Sequence, residues 1–357
     1  MNGKILTAVL LSALLASRAA VSAAEVVNDA EGADDRAYVL TDENGARLTS
    51  RMGQIFAGDE YISGGDLLYV VTEVDDAAGI AVARLAGEEP PEAEEAFSAL
   101  AKEARRHIAM YSTHSDESYI PGDGDSSLLK NAGIYDVGDA LKERLEELGV
   151  EVTYSHETFF PHDAGAYRRS RAVAASLLKS NPDALIDIHR DGVSADEYET
   201  TVDGEDTSKV RLFVGRTNAN AAENRAFAKK LKRIADEKYP GLVKDIFIGK
   251  GNYNQDLYPE AILLEFGTHE IEKDKAVDST KYMANVLYDA LYDDDPKSAK
   301  NDAKGAAKGV GWLIGAAVLA AAVFAAVSTG SFRGAGTRMK RTLNEVTGGA
   351  FSGKKRK

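Results

Sequence analysis

Apolar and polar residues follow two different rhythms along this chain. From Ala37 to about Leu85 the rhythm is short and close to two residues, as in strands whose successive side chains face opposite ways. "YVLTDENGARL" sets an Asn44-Gly45 turn between alternating stretches, and "DLLYVVTEV" and "GIAVARL" flank Asp75-Asp76. Residues 36–86 are therefore expected to form a small all-β module. "GEEPPEAEEAFSALAKEARR" follows as an acidic, proline-containing linker running into a short helix, residues 87–106, whose charges suit a solvated face.

From His107 onward, short apolar runs alternate with stretches of helical period. "HIAMYST", "VEVTYS", "ALIDIH", "KVRLFVGR" and "AILLEFG" are the strand candidates. Val137, Ala140, Leu141, Leu145 and Leu148 share one helical face, which Gly149 ends. "AYRRSRAVAASLLKS" is a second helix, ended by Asn181-Pro182. Segments carrying Phe227, Leu231 and Ile234, and Met283, Val286, Leu287 and Leu291, are two more. Strand and helix alternating at this spacing predict an α/β domain over residues 107–292, its mostly parallel sheet covered by helices on both faces.

The two ends carry membrane-directed patterns. Lys4, an apolar run from Ile5 to about Ala16 and small residues around Val21-Ser22-Ala23 match a secretory signal peptide over residues 1–24. A charged linker, 293–308, leads to nineteen uncharged residues from Gly309 to Val327. That is long enough for a transmembrane helix, placed at 309–329. The basic residues behind it, 330–357, are expected to stay cytoplasmic. The sequence thus predicts a single-pass protein of the cell membrane, anchored through its C-terminal helix, with the folded domain extracytoplasmic.

Charge and cysteine content remove some function classes. The formal net charge is −14, and the segment from Ser331 to Lys357 carries eight basic residues against one acid, leaving −21 on the rest. A body that acidic repels phosphate backbones, so no nucleic-acid partner is expected. Without cysteine there are no disulfides and no thiol nucleophile.

In open α/β sheets, functional groups gather beyond the carboxyl ends of the strands. His114 and Glu117 follow the first strand of the domain, His189 ends the third, and Glu265 lies at the end of the fifth. Two histidines and a carboxylate would give zinc three protein ligands and leave one position for water. A further carboxylate could move a proton from that water to a leaving amine. Spacing alone does not decide which carboxylate does which. Nor is HxxE specific, because His269 and Glu272 repeat it; that pair, with no strand directly before it, reads as surface. The competing readings are a turn residue for His114, an ion-paired strand end for Glu265 and a satisfied core histidine for His189. Against the last, Arg190 and Asp191 beside it are expensive to bury without purpose.

"YSTHSDESYIPGD", "VGDALKERLEELGVEV", "HDAGAYRRSR", "DIHRDGV", "NYNQDL" and "AILLEFGT" together resemble the stage II sporulation protein P family, zinc-dependent cell-wall hydrolases of the N-acetylmuramoyl-L-alanine amidase type. The resemblance runs from about His107 to Leu291 and is weaker over the β module. It implies a phosphorylase/hydrolase-like α/β fold. It also implies Zn2+ held by His114, Glu117 and His189, with Glu265 catalytic. Arg190 would stabilise the oxyanion or bind a substrate carboxylate. His162, Asp163, Tyr167, Ser170 and Arg171, with Asn252, Asn254, Gln255 and Asp256, would lie near the substrate groove. Peptidoglycan is the implied substrate, and a protein activator or another cell-wall enzyme is a candidate partner. The chain departs from the family in its C-terminal apolar segment, since the family is usually anchored near the N-terminus, and in His269, where a smaller polar residue is expected. Two alternatives stand beside this reading: a zinc carboxypeptidase of related fold, which needs extra basic residues for a terminal carboxylate, and a non-catalytic wall-binding module.

Overall fold

The structure is a computed structural model that describes residues 36–89, 106–163 and 165–292. The signal-like start, most of the acidic linker, the apolar stretch 309–329 and the basic tail lie outside the described residues.

The first five strands are β1 (Ala37–Asp42), β2 (Arg47–Met52), β3 (Glu60–Ile62), β4 (Leu67–Asp75) and β5 (Ile80–Glu88). β6 (His107–Tyr111) leads to the single helical turn α1 (Ile120–Asp123), then α2 (Gly133–Glu147) and β7 (Glu151–Tyr154). α3 (Ala166–Leu177), β8 (Ala184–Asp191), the hairpin strands β9 (Glu199–Val202) and β10 (Glu205–Ser208), and β11 (Val210–Gly215) follow. The described part ends with α4 (Ala221–Lys238), β12 (Val243–Gly249), β13 (Ala261–Thr268) and α5 (Lys273–Tyr292).

Apart from the β9–β10 pair, these strands form one eleven-stranded sheet in the order β2-β1-β5-β4-β3-β12-β11-β13-β8-β6-β7. This corrects the expected fold class. The sheet is mixed, and the expected separate β module is continuous with it, because β3 pairs antiparallel with β12. The direction of each strand follows from its connection, since parallel neighbours need a crossover, usually helical, and antiparallel ones do not. β6 to β7 runs through α2 and β11 to β12 through α4, and both pairs are parallel. β8 reaches β11 through a hairpin and β12 reaches β13 through a short loop, without a crossover helix, and β11 is antiparallel to β13. The C-terminal transmembrane helix is likewise unsupported: among the described residues no helix is long and apolar enough to cross a membrane.

Strand alternation sorts the core onto two faces. Leu212, Val214, Ile246, Ile248, Ile262 and Leu264 point into the main core, where α2, α4 and α5 bury Ile134, Val137, Leu141, Phe227, Leu231, Met283 and Leu287. The intervening Phe213, Phe247 and Leu263 pack on the other face with Tyr38, Leu40, Ile55 and Val71 of the first five strands and their loops. On that same face, towards β6, Ala109, Tyr111 and Leu185 pack with Ala174 of α3. Helix α2 sits unusually close to β7: a Cβ added at Gly138 would lie 2.3 Å from the Tyr154 ring.

Candidate metal centre and catalytic cleft

The three site-bearing strands, β6, β8 and β13, are mutually parallel, so their carboxyl ends meet at one edge of the sheet. The segment after β6 is no ordinary polar loop. Every residue from Ser112 to Ser118 is buried. Burial on this scale requires bonded polar groups, and several of them are bonded within the scaffold. Thr113 donates to both oxygens of Asp187, by its backbone N–H at 2.8 Å and its hydroxyl at 2.6 Å. Ser115 Oγ accepts from Phe159 N at 2.9 Å, and the Glu117 N–H closes a turn onto the His114 carbonyl at 3.1 Å.

This platform brings His114 and Glu117 against His189. One nitrogen from each histidine and one oxygen of Glu117 all lie within 4.8 Å of one another, a group able to hold a metal ion. Glu117 Oε1 is 3.4 Å from His114 Nδ1 and 3.5 Å from His189 Nδ1. The other nitrogen of His189, Nε2, is 3.0 Å from Asp187 Oδ1. Burial works against charge on either side of the pair. Even so, the charges of Asp187 and Glu117 and their hydrogen bonds raise His189 well above the usual imidazole value. Despite its burial, the His189 charge, bonds from both histidines and the Arg190 charge hold Glu117 well below the usual carboxylate range. The donor set suits a cation of zinc's preferences: two imidazoles, one carboxylate, and one imidazole steered by an outer carboxylate.

Glu265 on β13 stands in register opposite His189 on β8. Its Oε2 is buried without a hydrogen-bond partner among the described residues. Burial, with Asp191 and Glu117 adding negative charge and His189 opposing them, pushes its carboxyl up to about 8. His114, Glu117, His189 and Glu265 all line one open cleft of about 180 Å³.

Arg190 also borders the cleft, and its bonding is that of a brace. Its backbone N–H donates to Glu117 Oε2 at 3.0 Å, and its guanidinium donates to the carbonyls of Ser118, Asp191 and Ser126 at 3.1, 3.2 and 2.8 Å. His269, read from sequence as surface, instead lines the cleft. Its backbone N–H donates to the Asp191 carbonyl at 3.1 Å, which tucks the ring inward, while Glu272 is exposed. Burial and the nearby Arg190 charge lower its pKa.

Of the residues placed near a groove, His162 and Tyr167 line the cleft. The His162 ring stacks on His114 with centroids 3.9 Å apart, and its Nδ1 is 3.0 Å from Asp116 Oδ1. Others are tied into the scaffold: Asn254 donates to Tyr167 O at 3.0 Å, Gln255 to Phe213 O at 2.9 Å, and Arg171 pairs with Asp256 at 2.6 Å. Sequence reasoning missed Asp187, although an acid two residues before a strand histidine shares its face. It also missed Arg211, fully buried between Asp191 and Asp245 at 2.8 and 2.7 Å, because pairing across strands leaves no local spacing signal.

A mixed-sheet α/β domain with a buried His–Glu–His cluster and an opposed glutamate at one sheet edge defines the class. Comparison with known families then identifies it. The family model of stage II sporulation protein P (SpoIIP) matches residues 73–288, well over half of the sequence, and the chain belongs to that family. Stage II sporulation protein P of Bacillus subtilis (strain 168) is 32% identical over 182 residues, covering 46% of this chain and 45% of the relative. The chain thus spans about half the length of that curated relative. Among solved structures, the CwlD amidase from Clostridioides difficile in complex with the GerS lipoprotein gives a TM-score of 0.36 at 12% identity, over 52% of this chain and 96% of that one. The N-acetylmuramyl-L-alanine amidase Ami1 from Mycobacterium smegmatis gives 0.33 at 14%, over 53% and 95%. Likeness at this level has no bearing on chemistry.

Proposed function

We propose that this protein is a zinc-dependent peptidoglycan hydrolase that cleaves the amide between N-acetylmuramic acid and the L-alanine of the stem peptide. The observation that carries the reading is the placement of Glu265 directly across the β8–β13 pair from His189, in the same cleft as the His114–Glu117–His189 cluster. Membership of the SpoIIP family supports the same reading. Such a substrate lies outside the cytoplasmic membrane, so the domain has to act there.

His114, Glu117 and His189 would hold the zinc ion, which supplies Lewis-acid polarisation of the scissile carbonyl and acidifies water. The chain's own side chains perform the remaining tasks. Asp187 Oδ1, 3.0 Å from His189 Nε2, pairs with that side of the imidazole and leaves Nδ1 to the cluster. Glu265 takes a proton from the attacking water and returns it to the leaving amine nitrogen, a task open to a carboxylate that lines the same cleft as the cluster. Arg190 ties the Glu117 loop to the end of β8 through the Ser118 and Ser126 carbonyls, and its backbone N–H holds the ligand carboxylate.

The test is mass spectrometry of fragments released from intact peptidoglycan by the full chain supplied with zinc, beside a Glu265→Gln digest. Free stem peptides and peptide-free glycan, absent from the mutant digest, are expected. Cleavage of cross-links alone would replace the amidase reading with an endopeptidase, and release of nothing would refute hydrolysis.

A further inference from the structure

The catalytic cleft is not built by the family-matched region alone. The match begins at residue 73, yet Met52, the last residue of β2, lines the cleft together with His114, Glu117, His189 and Glu265. β2 is the outermost strand of the sheet and β8 lies ninth from that edge, so strand pairing does not bring them together. Side-chain bonds do. An edge strand turns alternate N–H groups away from its sheet. Here the Ser50 N–H donates to Glu197 Oε2 at 3.2 Å and the Met52 N–H to Asp191 Oδ1 at 3.0 Å. Asp191 ends β8, two residues beyond His189. The edge of the sheet is thus folded back onto the strand that carries part of the metal cluster.

A glycine leaves room for the Met52 side chain. Gly192 follows Asp191 and also lines the cleft, and a Cβ there would come within 2.6 Å of Met52 Cε and 3.0 Å of its Cβ. Only glycine admits that side chain without a shift. Two further apolar side chains line the same cleft, Phe213 of β11 and Leu263 of β13, which stand opposite each other in register. Leu263 shares its face with Glu265, two residues on and roughly 7 Å along the strand. Glu265 therefore stands between His189, across the β8–β13 pair, and apolar side chains one strand repeat back. Met, Phe and Leu side chains offer no hydrogen-bonding N–H or O–H, so what they receive is an apolar group. The amide of the proposed substrate carries a methyl on each side, that of the lactyl group and that of L-alanine.

We propose that Met52 is a specificity-determining residue, forming with Phe213 and Leu263 an apolar subsite for a methyl group beside the scissile amide, so that a strand preceding the family match selects what the metal-centre face cuts. This inference rests on the peptidoglycan reading and deepens it.

The test gives the zinc-loaded full chain three muropeptides: one with the lactyl group and L-alanine, one with glycine in place of L-alanine, and one with a glycolyl ether in place of the lactyl group. Loss of the methyl that the subsite holds should lower kcat/KM by roughly 10-fold, the ordinary effect of one such group in an apolar pocket, and the muropeptide that shows the drop names the methyl. In Met52→Ala that ratio should shrink to about twofold, whereas Met52→Leu, of similar volume, should keep most of it. Slower cleavage of all three with the ratio unchanged would make Met52 structural, and equal kcat/KM for all three in the parent would remove the subsite. Calorimetric binding to the zinc-loaded Glu265→Gln chain separates the two ideas. Methyl-dependent affinity that vanishes in Glu265→Gln/Met52→Ala, without any turnover by the parent, would sink the amidase reading and leave the subsite standing. Turnover by the parent with no methyl dependence of affinity or rate would overturn the subsite and leave the amidase reading in place.

Discussion

Asp187 and His189 occupy alternate positions on β8, share one face, and meet with Oδ1 3.0 Å from Nε2. The acid is itself immobile, because Thr113 donates to both of its oxygens. One strand therefore supplies a candidate ligand and the group placed to aim it, while the loop carrying His114 and Glu117 is pinned to the same carboxylate. Asp187→Asn keeps the shape and an acceptor for the Thr113 N–H but removes the charge behind the imidazole. Metal affinity should fall by roughly 10- to 100-fold, the usual cost of losing an outer-sphere partner. Competition with a chromogenic chelator measures it, and an unchanged dissociation constant would show that Asp187 serves only the fold.

Glu265→Gln separates catalysis from metal binding. The side chain keeps its size, so zinc stoichiometry should match the parent while turnover falls by about 10²–10⁴-fold. A stability signature accompanies the loss. The folded carboxyl is raised from 4.5 to about 8. The metal-free folded state therefore binds more protons than the unfolded state between those values, and its stability declines as pH rises through that window. The Gln variant lacks this decline. Urea melts of metal-free protein at pH 5 and pH 9 should converge with the parent at the lower pH and favour the variant at the higher one. A parallel pH dependence in both proteins would contradict the upward shift.

Much of this site was legible in the residue order, and the reasons for the rest are physical. His114, Glu117, His189 and Glu265 could be singled out as candidates because they lie at or just past apolar runs, although Glu265 stands inside β13 and not at its end. The mixed sheet escaped because apolar periodicity reports that a run is a strand and says nothing of its direction. "VKDIFIG" was passed over although it forms β12 and joins the first five strands to the rest. Counting α-helices between runs would have helped, since the connections from β8 to β11 and from β12 to β13, which hold no α-helix, are where the direction reverses. His269 escaped for another reason: its position is set by the Asp191 carbonyl, a partner 78 residues away, and by no local pattern.

Metal uptake should expel protons. Glu117 and Asp187 hold His189 protonated well beyond the ordinary imidazole range, yet a metal ligand must present a neutral ring. Loading the site at pH 7 should therefore release about one proton per ion, and affinity should weaken as pH falls. In the metal-free protein the stability contributed by the His189 proton is complete below about pH 6.5 and lost as pH rises through the raised folded value. Titration calorimetry in buffers of different ionisation enthalpy counts the protons directly. An observed enthalpy independent of buffer would show that His189 is already neutral before metal arrives.

Arg211 is the buried charge on which the cleft's second wall depends. It donates to Asp191 at 2.8 Å and to Asp245 at 2.7 and 3.0 Å, and its remaining bond to Thr49 at 2.6 Å reaches into β2. Arg211→Met strips the buried cation from two buried carboxylates, leaving Asp191 only neutral donors, among them the Tyr198 hydroxyl at 2.9 Å, and Asp245 the Lys244 ammonium at 3.5 Å and the Thr49 hydroxyl at 3.3 Å. Breaking a buried pair from one side costs about 3–5 kcal/mol, whereas replacing both sides by apolar groups is often close to neutral. The single mutant should therefore shift the urea midpoint strongly at unchanged slope, and Arg211→Met/Asp245→Leu should recover part of the loss, a coupling of roughly 1–3 kcal/mol in the mutant cycle. Because Asp191 also holds the Met52 N–H at 3.0 Å, the single mutant should lose hydrogen-exchange protection at Met52 before it loses protection in the β8–β13 ladder. Protection lost in both places together would mean that the network supports the whole sheet and not the β2 wall in particular.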